Sequence, residues 1–279
     1  MKKRKALASI ASIIGFIPLI ASCSSISTRT YELSTPIINE GSVTRIVLIS
    51  DLHSEIYGKD QSLLINLITG LNPDLIIICG DLFDSGPMTG VQLLLSGISG
   101  VAPVYFVTGN HEYTDQDINE IRDELRSFGV ITLSDEYRII EINSNKIILA
   151  GIEDPERVNF ELPDYNQYEI MEKVFRELDR LPYYKILVAH RPERIEYYKK
   201  FAFDLIVSGH THGGQIRIPP FKRGLYAPDQ GLFPKYSGGM YSHENLTHII
   251  SRGLARRHPG VPRIFNPPEI VLIIIDKEG

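Results

Sequence analysis

The stretch "SGHTHGGQIRIP", residues 208–219, sets two imidazoles one residue apart directly behind an apolar run. Comparable groups recur along the chain. "SDLH" supplies Asp51 and His53, "GDLFD" supplies Asp81 and Asp84, and "GNHEY" supplies Asn110, His111 and Glu112. "VAH" ends in His190, and "GHTH" carries His210 and His212. Imidazole nitrogens mixed with carboxylate and carboxamide oxygens, and no thiolate, form a donor set suited to first-row divalent metals. Any one of these groups also reads as a turn, because Asp and Asn hydrogen-bond their own backbone. Gly80, Gly109 and Gly209 could serve only to allow positive φ. A turn reading has to hold five times over. His243, His248 and His258 lie outside the pattern.

Each group stands at the end of a strand-like run: "TRIVLIS" (44–50), "DLIIICG" (74–80), "APVYFVTG" (102–109), "YKILVAH" (184–190) and "FDLIVSGH" (203–210). Helical spacing fills 60–71, 89–97, 115–128 and 164–180. "YRIIEI" and "KIILAGI" flank Asn143-Ser144-Asn145 as a hairpin, and "THIIS" and "EIVLIIID" close the chain as strands. The runs are apolar on both faces, which predicts an α/β sandwich of buried mixed sheets flanked by helices. In such folds the C-terminal strand ends converge on the ligand-binding edge. Separate loops can therefore bring the polar groups together.

The chain has 279 residues and a formal charge of −5, with four cations among its first five residues. The rest carries 25 Lys and Arg against 34 Asp and Glu, a balance that argues against nucleic-acid partners. Of two cysteines, Cys79 sits in an apolar run as a small hydrophobe. Residues 6–22 carry no charge. A spanning helix needs about 20 apolar residues, and Gly15 and Pro18 interrupt this run, so it reads as a secretory signal core. "LIASC" resembles a bacterial lipobox, which implies lipidation of Cys23 and an extracytoplasmic, membrane-anchored lipoprotein; the alternative is an uncleaved anchor. The expected organisation is a signal or anchor at 1–22, a tether at 23–43 and one domain at 44–279.

The ordered series D-x-H, G-D-x-x-D, G-N-H-E, H and G-H-x-H, within residues 44–276, resembles that of the calcineurin-like metallophosphoesterases. The resemblance implies a four-layer αββα sandwich, and the core carries no long insertion that would make a separate cap domain. It implies two divalent ions (Mn, Fe or Zn), one held by Asp51, His53, Asp81 and His212, the other by Asp81, Asn110, His190 and His210. Asp81 would bridge them, and a metal-activated hydroxide would attack a phosphoester. Asn110 and His111 would contact the phosphoryl group, with His111 protonating the leaving oxygen; alternatively His111 only orients Asp51. Glu112 and Asp84 read as supporting groups. Arg217, Arg252, Arg256 and Arg257 read as binding a second phosphate or a head group, or as surface cations.

"GHTHGGQIRIP" and "RIFNPPEIVLIIID" resemble the small membrane-associated bacterial branch, similar to UDP-2,3-diacylglucosamine pyrophosphate hydrolases. That implies a lipid-linked or envelope substrate, such as a UDP-diacylglucosamine-like molecule, and a link to lipid A biosynthesis. A lipoprotein signal pulls the other way, since lipid A precursors are made on the cytoplasmic side. An extracellular phosphomonoesterase and a non-catalytic metal-binding scaffold are the other readings.

Overall fold

The computed structural model describes residues 25–115, 117–220, 223–256 and 261–278. Two six-stranded sheets form its centre. The first comprises β1 (Ser27–Thr35), β2 (Thr44–Ile49), β3 (Leu75–Cys79), β4 (Val104–Val107), β5 (Ile131–Thr132) and β14 (Glu269–Lys277), in the order β1-β14-β2-β3-β4-β5. The second comprises β6 (Glu136–Ile142), β7 (Asn145–Ile152), β8 (Tyr184–Ala189), β9 (Leu205–Ser208), β12 (Gly239–His243) and β13 (Leu246–Ile250), in the order β12-β13-β9-β8-β7-β6. Both are mixed: β14 runs antiparallel to β2, and β6 to β7, while β2-β3-β4 and β7-β8-β9 are parallel.

Side chains alternate across a strand, and here both faces are apolar. Ile46, Leu48, Ile77 and Cys79 face Leu149, Ile186, Val188 and Val207 between the sheets. Val47, Ile49, Ile76 and Ile78 pack outward on α1 (Ser62–Gly70), α2 (Thr89–Ile98) and α4 (Ile118–Ser127), through Leu64, Leu94 and Ile121. Ile148, Leu187 and Ile206 pack on α6 (Gln167–Phe175) and α7 (Ile195–Tyr198), through Met171, Phe175 and Tyr198. Three apolar layers between four layers of structure make the αββα sandwich.

Asn143 and Ser144 take φ values of 48° and 65° between β6 and β7, the two left-handed residues a tight hairpin turn requires. The helix expected over 115–128 starts later, at Ile118, because extended Asp117 caps it by accepting the Asn119 N–H. Ahead of it, His111–Thr114 forms a separate single turn, α3.

The domain does not begin at 44. Residues 27–35, expected within a tether, form β1, which pairs in parallel with β14 over its whole length, from Ser27–Glu269 to Thr35–Lys277. "STRTYELST" alternates polar and apolar weakly and carries no buried run, so its partner is visible only in the sheet. The signal or anchor at 1–22 and Cys23 lie outside the described residues, and among those described no helix is long and apolar enough to cross a membrane.

Candidate dinuclear metal centre

Five strand ends deliver the expected residues to one place. Asp51 and His53 follow β2, Asp81 follows β3, Asn110 and His111 follow β4, His190 follows β8, and His210 and His212 follow β9. Donor atoms of Asp51, His53, Asp81 and His212 all lie within 4.8 Å of one another, and so do those of Asp81, His190 and His210. Asp81 is common to both sets. Its Oδ2 lies 3.7 Å from His53 Nε2 and 3.1 Å from His190 Nε2. Asn110 lies in sequence between Gly109, which crowds Asp81, and His111, whose amide bonds Asp81, and its Oδ1 is buried and accepts no hydrogen bond.

The backbone is bent to reach this geometry. Asp51, His53, Asp81, His210 and His212 take φ between 48° and 71°. Left-handed residues other than glycine are uncommon and cluster where function demands them. Gly80 has positive φ, as the turn reading allows, but Gly109 and Gly209 do not. A Cβ on Gly109 would collide with Asp81 Oδ1, and one on Gly209 would lie 2.7 Å from Asp51 Oδ2. These two glycines clear space for carboxylates rather than relieve φ.

A profile of the calcineurin-like phosphoesterase family matches residues 44–214. The chain belongs to this family. An uncharacterized metallophosphoesterase of Aquifex aeolicus is 28% identical over 260 residues, covering 89% of this chain and 91% of that one. Another, from Campylobacter jejuni, is 31% identical over 82% of this chain, which spans 58% of that longer protein. The crystal structure of TT1561 from Thermus thermophilus covers 77% of this chain and 92% of its own at a TM-score of 0.52 and 13% identity, a likeness of fold. The protein is a metal-dependent phosphohydrolase by this membership.

The phosphoesterase's own side chains fit divalent cations. Asp51 Oδ2 and Asn110 Oδ1 are buried without a hydrogen-bond partner, a costly state for polar atoms unless something else satisfies them. Burial opposes charge on His53 and His190, yet carboxylates outweigh it and raise both pKa values: Asp84, Asp81 and Asp51 at His53, Asp81 foremost at His190. Burial likewise opposes ionisation of Asp81, yet His190 and His53 hold it well below the usual carboxylate range. The cluster favours positive charge within it, and cations compete with protons for the same donors.

Supporting groups orient the donors. His190 Nδ1 bonds the Cys79 carbonyl oxygen at 2.8 Å, which leaves Nε2 facing Asp81. His210 Nε2 bonds Asp229 Oδ2 at 2.9 Å, and Asp229 in turn pairs with Arg191 at 2.7 Å. The His212 carbonyl accepts from Asn266 Nδ2 at 2.7 Å and from Arg263 Nη1 at 3.3 Å. Glu112 is buried and accepts the N–H groups of Asp81, Leu82, Phe83 and Gly109 at 2.6–3.1 Å, tying the β3 loop to the β4 loop. Burial and the Asp81 carboxylate push its pKa up to about 7.

His111 Nδ1 bonds Asp115 rather than Asp51, and its amide donates to Asp81 Oδ1 at 3.0 Å. Its ring meets His53 edge-on at 4.5 Å between centroids. Asp84 approaches His53 Nδ1 at 3.6 Å, and that imidazole holds Asp84 below its ordinary pKa. Those arginines of the sequence reading that lie among the described residues have protein partners. Arg217 donates to the Gly213 and Ser237 carbonyls, Arg252 faces Glu269, Arg256 is engaged by Glu55 and Ile56, and Arg257 lies outside the described residues.

The sequence reading missed Asp115 and Asp229. Asp115 had a local signal, since His111 and Asp115 are four apart in "HEYTD". Asp229 had none. It lies 19 residues from His210 and reaches it through the fold of the 213–237 loop.

Proposed function

We propose that this phosphoesterase binds two divalent ions, one on Asp51, His53, Asp81 and His212 and the other on Asp81, Asn110, His190 and His210, and hydrolyses phosphoester or pyrophosphate bonds of lipid-linked or envelope substrates. The observation that carries this is the meeting of two donor clusters on Asp81, whose carboxylate is common to both. Bound ions of this kind lower the pKa of water and neutralise phosphoryl oxygens. The chain supplies the rest. Asn110 and His111, adjacent on the β4 loop, orient the phosphoryl group. His111, held at Nδ1 by Asp115, presents Nε2 as the nitrogen that gives a proton to the leaving oxygen. The uncharged run 6–22 supports a membrane-attached protein, with Cys23 as its lipidation site, and thereby a substrate in the envelope.

The test is metal content together with a substrate panel. Purified protein should hold close to two equivalents of Mn, Fe or Zn and lose activity on chelation. Asp81→Asn should remove both ions, since both donor sets share that residue. Aryl monoesters, aryl diesters, nucleotide-sugars and UDP-diacylglucosamine, assayed with Mn²⁺, separate the lipid-linked reading from phosphate scavenging. Full activity in chelated, metal-free protein would refute the assignment. A protein that binds two ions and cleaves nothing is a scaffold.

A further inference from the structure

The loop that follows His212 is built outward from the site. Leu225 N–H reaches the carbonyls of Gly214 and Ile216, Arg217 N–H reaches that of Ile264, and Phe233 N–H reaches that of Leu225. Tyr226 and Leu232 pair across a two-stranded ribbon, β10 (Tyr226–Ala227) and β11 (Gly231–Leu232). This irregular patch rests on the His212 turn and shows solvent its apolar side chains. Ile218, Tyr226, Leu232, Phe233, Val261 and Phe265 are between 40% and 69% exposed. Phe233 and Phe265 do so from left-handed backbone, at φ of 53° and 51°. A bulky residue in that region is an outlier, so the fold bears strain while turning two aromatic rings outward.

Charge follows the same patch. In sequence, residues 213–237 and 252–266 hold eight Lys and Arg against one acidic residue, Asp229, but Arg252 and Arg256 pair with Glu269 and Glu55, Arg217 bonds backbone carbonyls, and Lys222 and Arg257 lie outside the described residues. Arg263 is buried and bonds backbone carbonyls, but Arg223 is exposed and Lys235 fully so. Apolar tips with a cationic rim complement an anionic lipid surface, where each nearby Lys or Arg adds attraction.

The position of β1 decides the orientation. Ser27 N–H and Oγ–H both reach the Pro268 carbonyl, three residues from Phe265 and two from Asn266, which grips His212. The uncharged run ends at Ser22. Four residues, 23–26, span at most about 14 Å when fully extended. With β1 in the sheet, the chain ahead of Ser27 enters the domain at the edge that bears the patch, whether it is attached by a lipidated Cys23 or by residues 6–22.

We propose that this face, residues 213–220 and 223–237 with 261–266, docks on an anionic phospholipid bilayer and holds the edge of the metal centre at the headgroups. The proposal rests on the reading of the N-terminus as membrane-attached, through a lipidated Cys23 or through an uncleaved run 6–22. Docking places a lipid-borne phosphate within reach of Asp81 and His111 without the lipid leaving the membrane.

The chain contains no tryptophan, so a single indole is an unambiguous reporter. Full-length Leu232→Trp, reconstituted in phosphatidylcholine–phosphatidylglycerol vesicles with brominated acyl chains, should be quenched several-fold more than Ile139→Trp. Ile139 is half-exposed on β6, the edge of its sheet opposite β12. Arg223→Glu with Lys235→Glu should reduce that quenching, and phosphatidylcholine alone should do the same. Leu232→Ser with Phe233→Ser should leave kcat/KM on a soluble aryl phosphoester within twofold. Equal quenching at positions 232 and 139 in protein that floats with vesicles overturns docking and leaves the anchor standing. Failure to float overturns both. An indole that becomes buried without vesicles, in proportion to protein concentration, overturns it in favour of a second copy of the chain. Quenching at 232 together with no hydrolysis of any ester would sink the catalytic reading while supporting docking.

Discussion

At the residue scale, the side chains that hold the donors are as exacting as the donors. Glu112 accepts four backbone N–H groups from two loops and has no side-chain donor in that role. Glu112→Gln puts an NH₂ where an oxygen accepted, leaving at least one buried amide unsatisfied at a cost of about 1–3 kcal/mol. Because those amides belong to the segments carrying Asp81 and Asn110, the variant should lose stability and metal together, seen by denaturant titration and metal analysis. His111 and Asp115 give a sharper outcome. General acid catalysis is worth about 10²–10⁴ in rate where a leaving group needs a proton. His111→Asn should lose far more on alkyl than on p-nitrophenyl phosphoesters, with metal content unchanged, and Asp115→Asn should show the same split more weakly. Equal losses on both substrates would reassign His111 to positioning of the phosphoryl group.

At the element scale, the strands that present the donors carry their own pH sensitivity. His248 on β13 is buried beside Ile206 on β9, and its Nε2 bonds Ser208 Oγ at 2.9 Å. Burial, with a smaller effect from His243, lowers its pKa to about 3. The unfolded chain takes this proton near pH 6.5, roughly the ordinary histidine value, while the folded chain refuses it until about pH 3. Between those values the unfolded state binds more protons, so stability falls as pH drops through the window. The full displacement corresponds to about 5 kcal/mol by pH 3. His248→Gln should flatten the acid limb of the melting profile relative to wild type, and identical limbs would show that other groups control it.

At the scale of the whole molecule, the centre joins the two sheets, because Asp51, Asp81 and Asn110 come from one and His190, His210 and His212 from the other. Ions bound there should cross-link the halves of the sandwich. Saturation at one hundred times Kd stabilises by about 2.7 kcal/mol per site, or roughly 5–10 °C in a domain of this size. Scanning calorimetry with and without chelator should show that shift, and Asp81→Asn should abolish it. An unchanged Tm on metal removal would mean that no ion binds between the sheets.

The strand runs, their polar ends and the order of the motifs were legible in the sequence, because buried strands must be apolar and a metal site needs particular donor atoms. Asp51, His53, Asp81, Asn110, His190, His210 and His212 could be named from local composition as polar strand ends, and their grouping into two ligand sets came from the resemblance to the family. What tertiary structure alone decided depends on contacts far apart in sequence. β1 carries too little apolar pattern to declare a partner, and only the free edge of β14, 242 residues away at Ser27–Glu269, makes it a strand and takes residues 27–35 out of the expected tether. Gly109 and Gly209 looked like turn residues until the carboxylates they make room for were in place. Asp229 gained its role when the 213–237 loop folded back on His210, and the same loop carried Phe233 to the surface. A sequence states which atoms could bind a cation or a lipid; distance and exposure exist only once the chain has closed on itself.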